Sequence, residues 1–592
     1  MKYSYNWLQK HIEEKLPDPE SLKETIIFHA FEVEDTEFVD DDTIMDIKVL
    51  PDRAHDCLSH YGMAREVAGL LGLTLKPLAP TVLPEKPLDM KVEVQSELCR
   101  RYIAIKMENV NIGPSPAWLA KALTSIGQKS INNIVDATNY ILFDRGQPVH
   151  AFDAGSIDGG IVVRMAHEHE KITTLSNEEK ELNTSVLVIA DYLAPLAIAG
   201  VKGGKNAEVT DTTKTIVIEV GNFDPASVRR TARSLGLATD ASKRFENDLT
   251  CQIAASAASQ VIALIKDIAG GEATSIFEHY PKPVEQTIIT FTVSDIARLL
   301  GLSVTADTIH TVFKRYHYEY TADGDTFTLH VPYKRLDLTG AHDIAEEIGR
   351  VTGYEHIAPT PLPQLYPVDH SPVYKSMRAA KAWLVHDGYR EVMTYAFRKK
   401  GDVYIARGPK DKSALRTNLS DGLKESYELN RLNAPLLGVG EVKLFEIGTV
   451  FFADREEIHV ATIDKDGVKE TTLEDYIKEH TIVIDPVILE ITPFSEAFKP
   501  WSPYPYITRD VAVWVQTETD EAILADLVAR FAQKYCVRDA VRFDYFKKDD
   551  RSSVAYRLVF QATDHTLTDT EVNEWFAVLI DEIKKNRAFE IR

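Results

Sequence analysis

The chain has 592 residues, of which 44% are hydrophobic and 27% charged, a composition typical of soluble globular protein. At roughly 100–200 residues per domain, this length predicts three to six domains, each able to bury a core. No stretch reaches the roughly 18 uninterrupted apolar residues of a membrane helix, and a net charge of −23 argues against a nucleic-acid coat that binds by neutralising phosphates.

Residues 1–88 predict a small N-terminal α/β domain followed by a linker. A helix over Tyr5–Ile12 and a strand over 45–50 precede HYGMAREVAGLLGL, whose apolar residues recur at helical spacing. The start of the chain lacks the apolar segment of a signal peptide. The proline-rich stretch 75–88 marks a domain boundary. The four cysteines lie far apart without zinc-site spacing, so we expect reduced thiols in a cytoplasmic protein.

Residues 89–285 mix predicted strands with helices, and their loops carry several polar clusters. His150 follows a Gly-Gln-Pro turn, and a lone histidine is most often a structural hydrogen-bonding group. The glycine-rich AGVKGG lacks the GK[ST] of a phosphate-binding loop, so Gly203 favours a turn or a close backbone approach. Glu219 lies near the end of the strand TIVIEV, and Thr239 lies on a turn before Lys243. A polar ligand pocket and a set of structural caps explain these residues equally well.

Residues 286–360 predict a helix-rich domain with a dense carboxylate cluster. The stretch RLDLTGAHDIAEEIGR contains Asp337, Asp343, Glu346 and Glu347. On a helix over His342–Val351 the last three span about 100° of one face, and oxygen ligands without cysteine or histidine suit magnesium or calcium. A solvated acidic face near a helix N-terminus is the alternative, and the spacing alone does not choose between the two.

The remaining chain predicts two further domains. Residues 361–498 begin in a second proline-rich segment and alternate helix with strand. Residues 499–592 predict the order strand–helix–strand–strand–helix, which fits a small ferredoxin-like α+β sandwich.

Nine ordered stretches together resemble the bacterial-type phenylalanine–tRNA ligase beta subunit along nearly the whole chain. They are MKYSYNWLQKHI, VLPDRAHDCLSHYGMAREVAGL, NNIVDATNYILFDRGQPVHAFD, AGVKGG, FDPASVRRTARSLGLATDASKRFE, RLDLTGAHDIAEEIGRVTGYEHI, LRTNLSDGL, LFEIGTVF and PYPYITRDVAVWV. The resemblance implies a multidomain α+β fold. After the N-terminal domain come an editing domain, a helical magnesium-site domain, an inactive class II catalytic-like domain and a ferredoxin-fold anticodon-binding domain.

The resemblance also implies a function. Such a subunit works with an alpha subunit in an alpha2–beta2 tetramer and supplies assembly, tRNA(Phe) binding and hydrolytic editing of tyrosine wrongly attached to that tRNA. Aminoacylation with ATP takes place on the alpha subunit, in agreement with the absence of a glycine-rich class II motif from 369–495. In the family, carboxylates at the positions of Asp337, Asp343, Glu346 and Glu347 bind a magnesium ion shared with the alpha subunit.

Two further sets of residues follow from the resemblance. The editing pocket is matched by His150, Gly203, Glu219, Thr239 and Ala241. A buried Glu219 can accept a hydrogen bond from a tyrosine phenol, which phenylalanine cannot offer, while His150 either orients the tRNA end or holds water. In the C-terminal domain, phosphate contact and base stacking are expected from Arg509, Tyr545, Lys547, Lys548 and Arg551, although a solvated charged surface explains them equally well.

The chain departs from the family pattern in two places. The tRNA-binding OB domain usually inserted after about the first forty residues is absent, because TEFVDDDTIMDIKV runs straight on, and the catalytic-like domain is shorter than usual. Two alternatives stay open. One is an assembly and RNA-binding protein whose editing pocket is inactive, and the other is a stand-alone magnesium-dependent hydrolase.

Overall fold

A computed structural model describes residues 1–363, 371–482 and 500–592. Those residues divide into two units, Met1–Pro361 and Leu362–Arg592. The predicted division into five segments is finer, and the boundary expected near 498 lies outside the described residues, as does part of the proline-rich segment 358–368. Within the described ranges, none of the helices combines the length and apolarity that crossing a bilayer requires.

The N-terminal segment is a three-stranded antiparallel sheet with helices packed on it; the sequence analysis predicted its α/β character and one of the three strands. Its elements are β1 (Lys2–Ser4), α1 (Tyr5–Lys10), α2 (Pro19–His29), β2 (Glu32–Val39), β3 (Asp42–Lys48), α3 (Pro51–Cys57) and α4 (His60–Leu71). The strand order is β1-β3-β2. Apolar residues spaced at three and four positions on α4, such as Met63 and Val67, are fully buried against this sheet.

The next segment contains most of the strands of the first unit. Its elements are β4 (Val92–Val94), β5 (Cys99–Glu108), α5 (Ala117–Ser125), α6 (Asn133–Arg145), β6 (His150–Asp153), β7 (Ile161–Met165), β8 (Lys171–Thr173), β9 (Glu179–Glu181), β10 (Leu187–Ala190), β11 (Pro195–Ile198), β12 (Lys202–Gly203), β13 (Thr215–Phe223), α7 (Pro225–Leu235), α8 (Asp240–Phe245), α9 (Ile253–Ala269) and β14 (Glu272–His279).

Two sheets organise this segment, with strand orders β12-β11-β10-β7-β4 and β14-β5-β13-β6. The central strand β13 is buried over nearly all its length, which explains its continuous apolar pattern TIVIEV. One apolar core includes residues of both sheets, such as Val188 and Val217. A second core joins the outer face of the β13 sheet to α6 and α9. Strands β13 and β12 therefore face a common interior.

The carboxylate stretch lies in a segment with a sheet as well as helices. Its elements are β15 (Ile288–Thr292), α10 (Val293–Leu300), α11 (Ala306–Arg315), β16 (Glu319–Asp323), β17 (Thr326–His330) and α12 (Ala341–Thr352). Ile344 and Ile348, four residues apart on α12, are fully buried on its apolar face, each contributing roughly 1.5–3 kcal/mol by burial. The sequence analysis predicted helices here and missed the sheet β15-β17-β16, because its strands are short and largely exposed.

The second unit contains two sheets of four strands. Its first part comprises α13 (Pro372–His386), β18 (Arg390–Glu391), β19 (Phe397–Arg398), β20 (Ala414–Leu415), α14 (Ser420–Leu437), β21 (Leu444–Phe451), β22 (Glu456–Asp464), β23 (Gly467–Thr472) and α15 (Leu473–Glu479). The sheet order is β18-β21-β22-β23.

The C-terminal part confirms the predicted strand–helix–strand–strand–helix order. Its elements are β24 (Ile507–Val515), α16 (Glu518–Tyr535), β25 (Val541–Lys548), β26 (Arg551–Phe560), α17 (Asp569–Lys585) and β27 (Glu590–Ile591). The antiparallel sheet has the order β25-β26-β24-β27, and the short final strand was not predicted. Both helices pack on one apolar core with the sheet.

Candidate functional site

A cavity of about 210 Å³ lies between the two sheets of the second segment, and we call it the inter-sheet cavity. It is large enough for one aromatic ring, since an engineered cavity of about 150 Å³ accepts benzene. Its lining residues are Asn139, Leu142, Pro148, Val149, His150, Leu175, Ile189, Ala197, Ile198, Gly200, Val201, Lys202, Gly203, Glu219, Phe223, Thr239, Asp240, Ala241 and Phe245. The five residues expected to form an editing pocket are all among them, so the fold brings together positions spread over 92 residues of sequence.

Glu219 and His150 are direct cross-strand neighbours. Strand β13 pairs antiparallel with β6, and in this register Glu219 lies opposite His150. Side chains of directly opposed residues project from the same face of a sheet, with Cβ atoms about 4.5–5.5 Å apart. Sheet pairing therefore fixes the two titratable groups side by side at the wall of the cavity.

Glu219 keeps its proton at neutral pH. Burial raises the pKa of its carboxyl to about 8, against a smaller opposing effect of the Gly221 amide. A protonated carboxyl both donates and accepts a hydrogen bond, whereas a carboxylate only accepts. At neutral pH the cavity wall thus presents a neutral acid that suits a hydroxyl group.

His150 is uncharged at neutral pH. Burial lowers the pKa of its imidazole to about 4, so one ring nitrogen is free to accept a hydrogen bond. Gly203 on β12 lies against this ring, because a Cβ at position 203 would come within 2.7 Å of His150 Cε1. The glycine is required here for a close approach, which confirms the interpretation of AGVKGG as such a contact rather than a phosphate-binding loop.

Thr239 joins helix α8 to the loop before β12 through two hydrogen bonds. Its hydroxyl donates to the Val201 carbonyl at 2.8 Å and accepts from the Ser242 amide at 3.0 Å, which caps the N-terminus of α8. Both bonds hold α8 against the loop before β12. Ala241, in the first turn of α8, contributes a small apolar surface to the cavity.

Sequence reasoning did not single out two polar residues of the cavity, Asn139 and Lys202. Both lie in stretches that carry the family resemblance, but only the packing of α6 and β12 shows that they face the interior. Lys202 is half-buried and makes no ion pair within the described ranges.

The four carboxylates on α12 and just before it, Asp337, Asp343, Glu346 and Glu347, line another cavity, of about 490 Å³, which we call the acidic cavity. Arg53, His55 and Arg350 line it as well. The sequence analysis placed Asp343, Glu346 and Glu347 on one face of a helix. It did not identify the cations beside them, because Arg53 and His55 come from a distant stretch and the local pattern does not show which carboxylate Arg350 faces.

Two of the carboxylates are held by arginines. Glu347 is buried, with Oε2 accepting from Arg335 at 2.7 Å and Oε1 from Arg350 at 2.7 Å. Asp337 accepts from Arg335 Nη2 at 2.6 Å and lies 3.0 Å from His55 Nε2. Burial opposes ionisation, yet these partners lower the pKa of Asp337 to about 2 and that of Glu347 well below its ordinary value.

The other two carboxylates are more open. Asp343 Oδ2 accepts from the amides of Thr339 and Gly340 at 2.7 and 2.9 Å, which caps α12. Glu346 is exposed. Within the described ranges no group of three or more metal-ligating side chains is arranged to hold an ion. The four carboxylates therefore do not fit a magnesium site formed by this chain alone, since two already neutralise arginines.

The C-terminal candidates lie on the β24–β26 sheet. Arg509 pairs with Asp569 at 2.6 Å, and Arg551 pairs with Glu590 at 2.6 Å. Lys547 and Lys548 end the edge strand β25 without an ion pair within the described ranges, and Tyr545 on the same strand is about half exposed. The edge strand, rather than the two arginines, presents free cations next to an aromatic ring.

Comparison with known protein families gives matches to four domains in chain order. The matches are the B3/4 domain at residues 98–270, the tRNA synthetase B5 domain at 289–354, the phenylalanyl tRNA synthetase beta chain CLM domain at 359–470 and the ferredoxin-fold anticodon binding domain at 502–592. The inter-sheet cavity lies in the first of these and the acidic-cavity helix α12 in the second.

Curated relatives match over nearly the whole chain. The phenylalanine–tRNA ligase beta subunits of Geobacter metallireducens and Carboxydothermus hydrogenoformans are each 31% identical, covering 93% of this chain and 81% of the relative. That of Moorella thermoacetica is 32% identical, covering 90% and 78%. The chain belongs to the family of phenylalanine–tRNA ligase beta subunits.

Proposed function

We propose that the inter-sheet cavity is an editing site that hydrolyses the ester of tyrosine wrongly attached to tRNA(Phe). The observation that carries this proposal is the buried, neutral Glu219 at the wall of a cavity that accepts one aromatic ring. A tyrosine side chain would donate its phenolic hydrogen to the carbonyl oxygen of Glu219. Phenylalanine would leave this buried group unpaired, and sites of this kind reject the analogue lacking the hydroxyl by about 10⁴–10⁵.

The neighbouring imidazole supports hydrolysis. In the reaction, water adds to the ester carbon, the bond to the ribose oxygen breaks, and a proton passes to that oxygen. Neutral His150 accepts a hydrogen bond from the water and orients it. Gly203 keeps the ring in place from the opposite sheet, and the cap at Thr239 fixes α8 beside them.

The rest of the chain serves assembly and tRNA binding in this proposal. We divide it into an N-terminal domain (1–88), the editing domain (89–285), the α12 domain (286–360), an inactive class II catalytic-like domain (361–498) and the anticodon-binding domain (499–592). The alpha subunit carries aminoacylation with ATP in an alpha2–beta2 tetramer. Four free cysteines agree with a reducing cytoplasm.

Any magnesium shared with the alpha subunit would draw on the open carboxylates Asp343 and Glu346, because Asp337 and Glu347 are committed to arginines. Contact with tRNA at the C-terminal domain is assigned first to Lys547, Lys548 and Tyr545 on the exposed edge strand. Arg509 and Arg551 would have to exchange their carboxylate partners for phosphates.

The test is deacylation of tyrosyl- and phenylalanyl-tRNA(Phe) by the complex with the alpha subunit, with Glu219 changed to Ala or to Gln. We expect the wild type to hydrolyse the tyrosyl ester selectively. Glu219→Ala should abolish the selectivity, whereas Glu219→Gln should retain much of it, because the amide oxygen accepts a phenol and is neutral like the protonated acid.

Unchanged selectivity in Glu219→Ala would remove the assigned role. Absence of deacylation in the wild type would leave the alternative of a chain that assembles the ligase and binds RNA with an inactive pocket. Charging of phenylalanine by this chain without the alpha subunit would contradict the assignment of aminoacylation to the partner.

A further inference from the structure

A second, more open cavity adjoins the inter-sheet cavity, and we call it the outer cavity. It has a volume of about 740 Å³ and lies over the loop between α7 and α8. Thr239 and Asp240 line both cavities. The N-terminus of α8 therefore separates an open vestibule from the enclosed site where the ester would react.

The outer cavity has a basic lining. Arg233 on α7 and Lys243 on α8 both line it and are both exposed. Among the described residues neither makes an ion pair with a carboxylate. The cavity also contains Asp240, which lies 3.6 Å from Arg244, and the half-buried Glu246.

Helix α7 extends this basic surface. Its inner face buries Val228 and Ala232, so Arg229, Arg230 and Arg233 lie on the exposed face. Arg229 and Arg233 are four residues apart, and like charges at this spacing repel and destabilise a helix. A binding partner of opposite charge would relieve that repulsion.

Several cations elsewhere in the same segment are paired with carboxylates. Lys91, Lys171 and Lys180 bind Glu93, Glu179 and Glu178, and Arg100 and Arg164 bind Asp248 and Glu170. In a chain with a net charge of −23, carboxylate partners are abundant. Arg233 and Lys243, unpaired among the described residues at the entrance of the inter-sheet cavity, therefore form a surface suited to binding an external polyanion.

We propose that the outer cavity and the exposed face of α7 bind the phosphodiester backbone of the single-stranded 3′ end of an aminoacylated RNA. This inference rests on the proposed editing function and adds to it the path by which the substrate enters. Arg233 and Lys243 contact phosphates near the end of the strand, and Arg229 and Arg230 contact phosphates farther back. The terminal ester passes Thr239 and Asp240 into the inter-sheet cavity, where Lys202 adds a further positive charge.

The test compares the wild-type complex with the double variant Arg233→Gln, Lys243→Gln in steady-state deacylation of tyrosyl-tRNA(Phe), between about 50 and 200 mM salt. We expect a several-fold higher KM at low salt with kcat unchanged. The slope of log(kcat/KM) against log[salt] should become shallower by about 1.4, because each single-strand phosphate contact contributes about 0.7. The control is Lys171→Gln, which removes an exposed cation that is already paired with Glu179.

An unchanged KM and salt slope in the double variant would overturn the proposal, as would a fall in kcat alone. A second measurement separates this result from failure of the editing function itself. Uncharged tRNA with a photoreactive group on a phosphate next to its 3′ terminus should crosslink to residues 225–246 of the wild-type complex, even if no ester is hydrolysed. Crosslinks to this chain that avoid 225–246 would contradict the proposed path.

Discussion

At the scale of single residues, the candidate site contains two neighbouring titratable groups, and burial shifts their pKa values in opposite directions. In both cases the shift disfavours the charged form. Glu219 holds its proton up to a pKa of about 8, and His150 releases its proton down to a pKa of about 4. Both side chains are therefore neutral over the physiological range, although one is an acid and the other a base. A neutral site avoids an uncompensated buried charge while keeping both a donor and an acceptor for the substrate.

The raised pKa of Glu219 predicts a specific dependence of local stability on pH. Between its ordinary value of 4.5 and about 8 the folded chain holds a proton that the unfolded chain has lost, so stability falls as pH rises through this window. Each pKa unit corresponds to about 1.4 kcal/mol, so several kcal/mol are at stake. Glu219→Gln should remove this fall. The measurement is the opening free energy of β13 amides from hydrogen exchange, corrected for intrinsic rates, at about pH 5.5 and 8.5.

His150 changes the pH dependence of stability with the opposite sign, and it does so equally in the wild type and in Glu219→Gln. Its folded pKa of about 4 lies below the ordinary 6.5, so its share of stability is present above 6.5 and is lost as pH falls through that window. Subtracting the opening free energy of Glu219→Gln from that of the wild type therefore cancels the contribution of His150. Parallel pH curves for the two proteins would show that Glu219 is not buried as a neutral acid.

The position of these two residues was within reach of sequence reasoning, but their chemistry was not. The resemblance identified His150 within one matching stretch and Glu219 between two others, and the strand pattern of TIVIEV predicted β13. Their direct opposition depends on the register between β6 and β13, which joins residues 69 positions apart through a sheet. No local pattern encodes such a register, and the pKa shifts follow from it.

At the scale of secondary-structure elements, the site depends on the close approach of β12 to β6 across the two sheets. Gly203 on β12 lies so near the His150 ring that any side chain would displace it. The adjacent α8 is fixed by the Thr239 cap to Val201, immediately before β12. Three short elements thus set the width of the inter-sheet cavity.

This approach predicts that Gly203→Ala impairs deacylation. The added Cβ would lie 2.7 Å from His150 Cε1 and 2.9 Å from Nε2, so the ring must move away from the position in which, under the proposed function, it would orient water. We expect a fall in kcat of at least about tenfold, since misplacing a reacting group by about 1 Å can cost 10²-fold. Steady-state deacylation of tyrosyl-tRNA(Phe) measures it.

Gly113→Ala is the matched control in the same segment, because a Cβ at that glycine meets nothing within 4 Å. It should leave kcat and the folded state unchanged. Equal activities of the two variants would contradict the close contact between β12 and the imidazole.

Element-level prediction succeeded where a pattern repeats locally. The apolar face of α12 and the order of the C-terminal elements follow from periodicity. The arginine partners of Asp337 and Glu347 were missed because Arg53 lies 294 residues before Glu347 and because Arg335 and Arg350, in the same stretch, do not reveal by sequence which carboxylate they face. The carboxylate spacing was consistent with a metal site, whereas the structure shows Asp337 and Glu347 bound by arginines. The magnesium ion shared with an alpha subunit stays a prediction.

At the scale of the first unit, a buried network of ion pairs links the N-terminal segment to α12. Arg53 binds Asp56 and Glu66 at 2.9 and 2.7 Å, and Glu66 also contacts Arg350. Tyr316 donates to Glu66 at 2.8 Å. Burial opposes ionisation of Glu66, but the charges of Arg350 and Arg53 hold its pKa at about 2.

The network predicts that Arg335→Met destabilises the first unit strongly. The change leaves Glu347 and Asp337 with a missing partner in a buried setting, and removing one member of a buried ion pair costs about 3–5 kcal/mol. We expect a lower midpoint of the unfolding transition of this unit in thermal or urea denaturation.

Adding Glu347→Gln to Arg335→Met should restore part of the loss, because it removes the uncompensated charge. Chelation of divalent ions should leave the midpoint of the free wild-type chain unchanged, since arginines rather than a metal neutralise these carboxylates. A midpoint raised by magnesium in the free chain would contradict this account of the acidic cavity.

The same network has a consequence for inheritance. Recombination between relatives exchanges contiguous segments of a gene, such as the one that encodes the first 75 residues. A crossover between that segment and α12 would join Arg53 and Glu66 to another chain's residues at the positions of Glu347 and Arg350, which must match them in charge. If the other chain lacks a cation at the position of Arg350, Glu66 keeps only Arg53, among the described residues, as its neutralising partner. The two segments are therefore expected to descend together, although the domain at residues 98–270 lies between them.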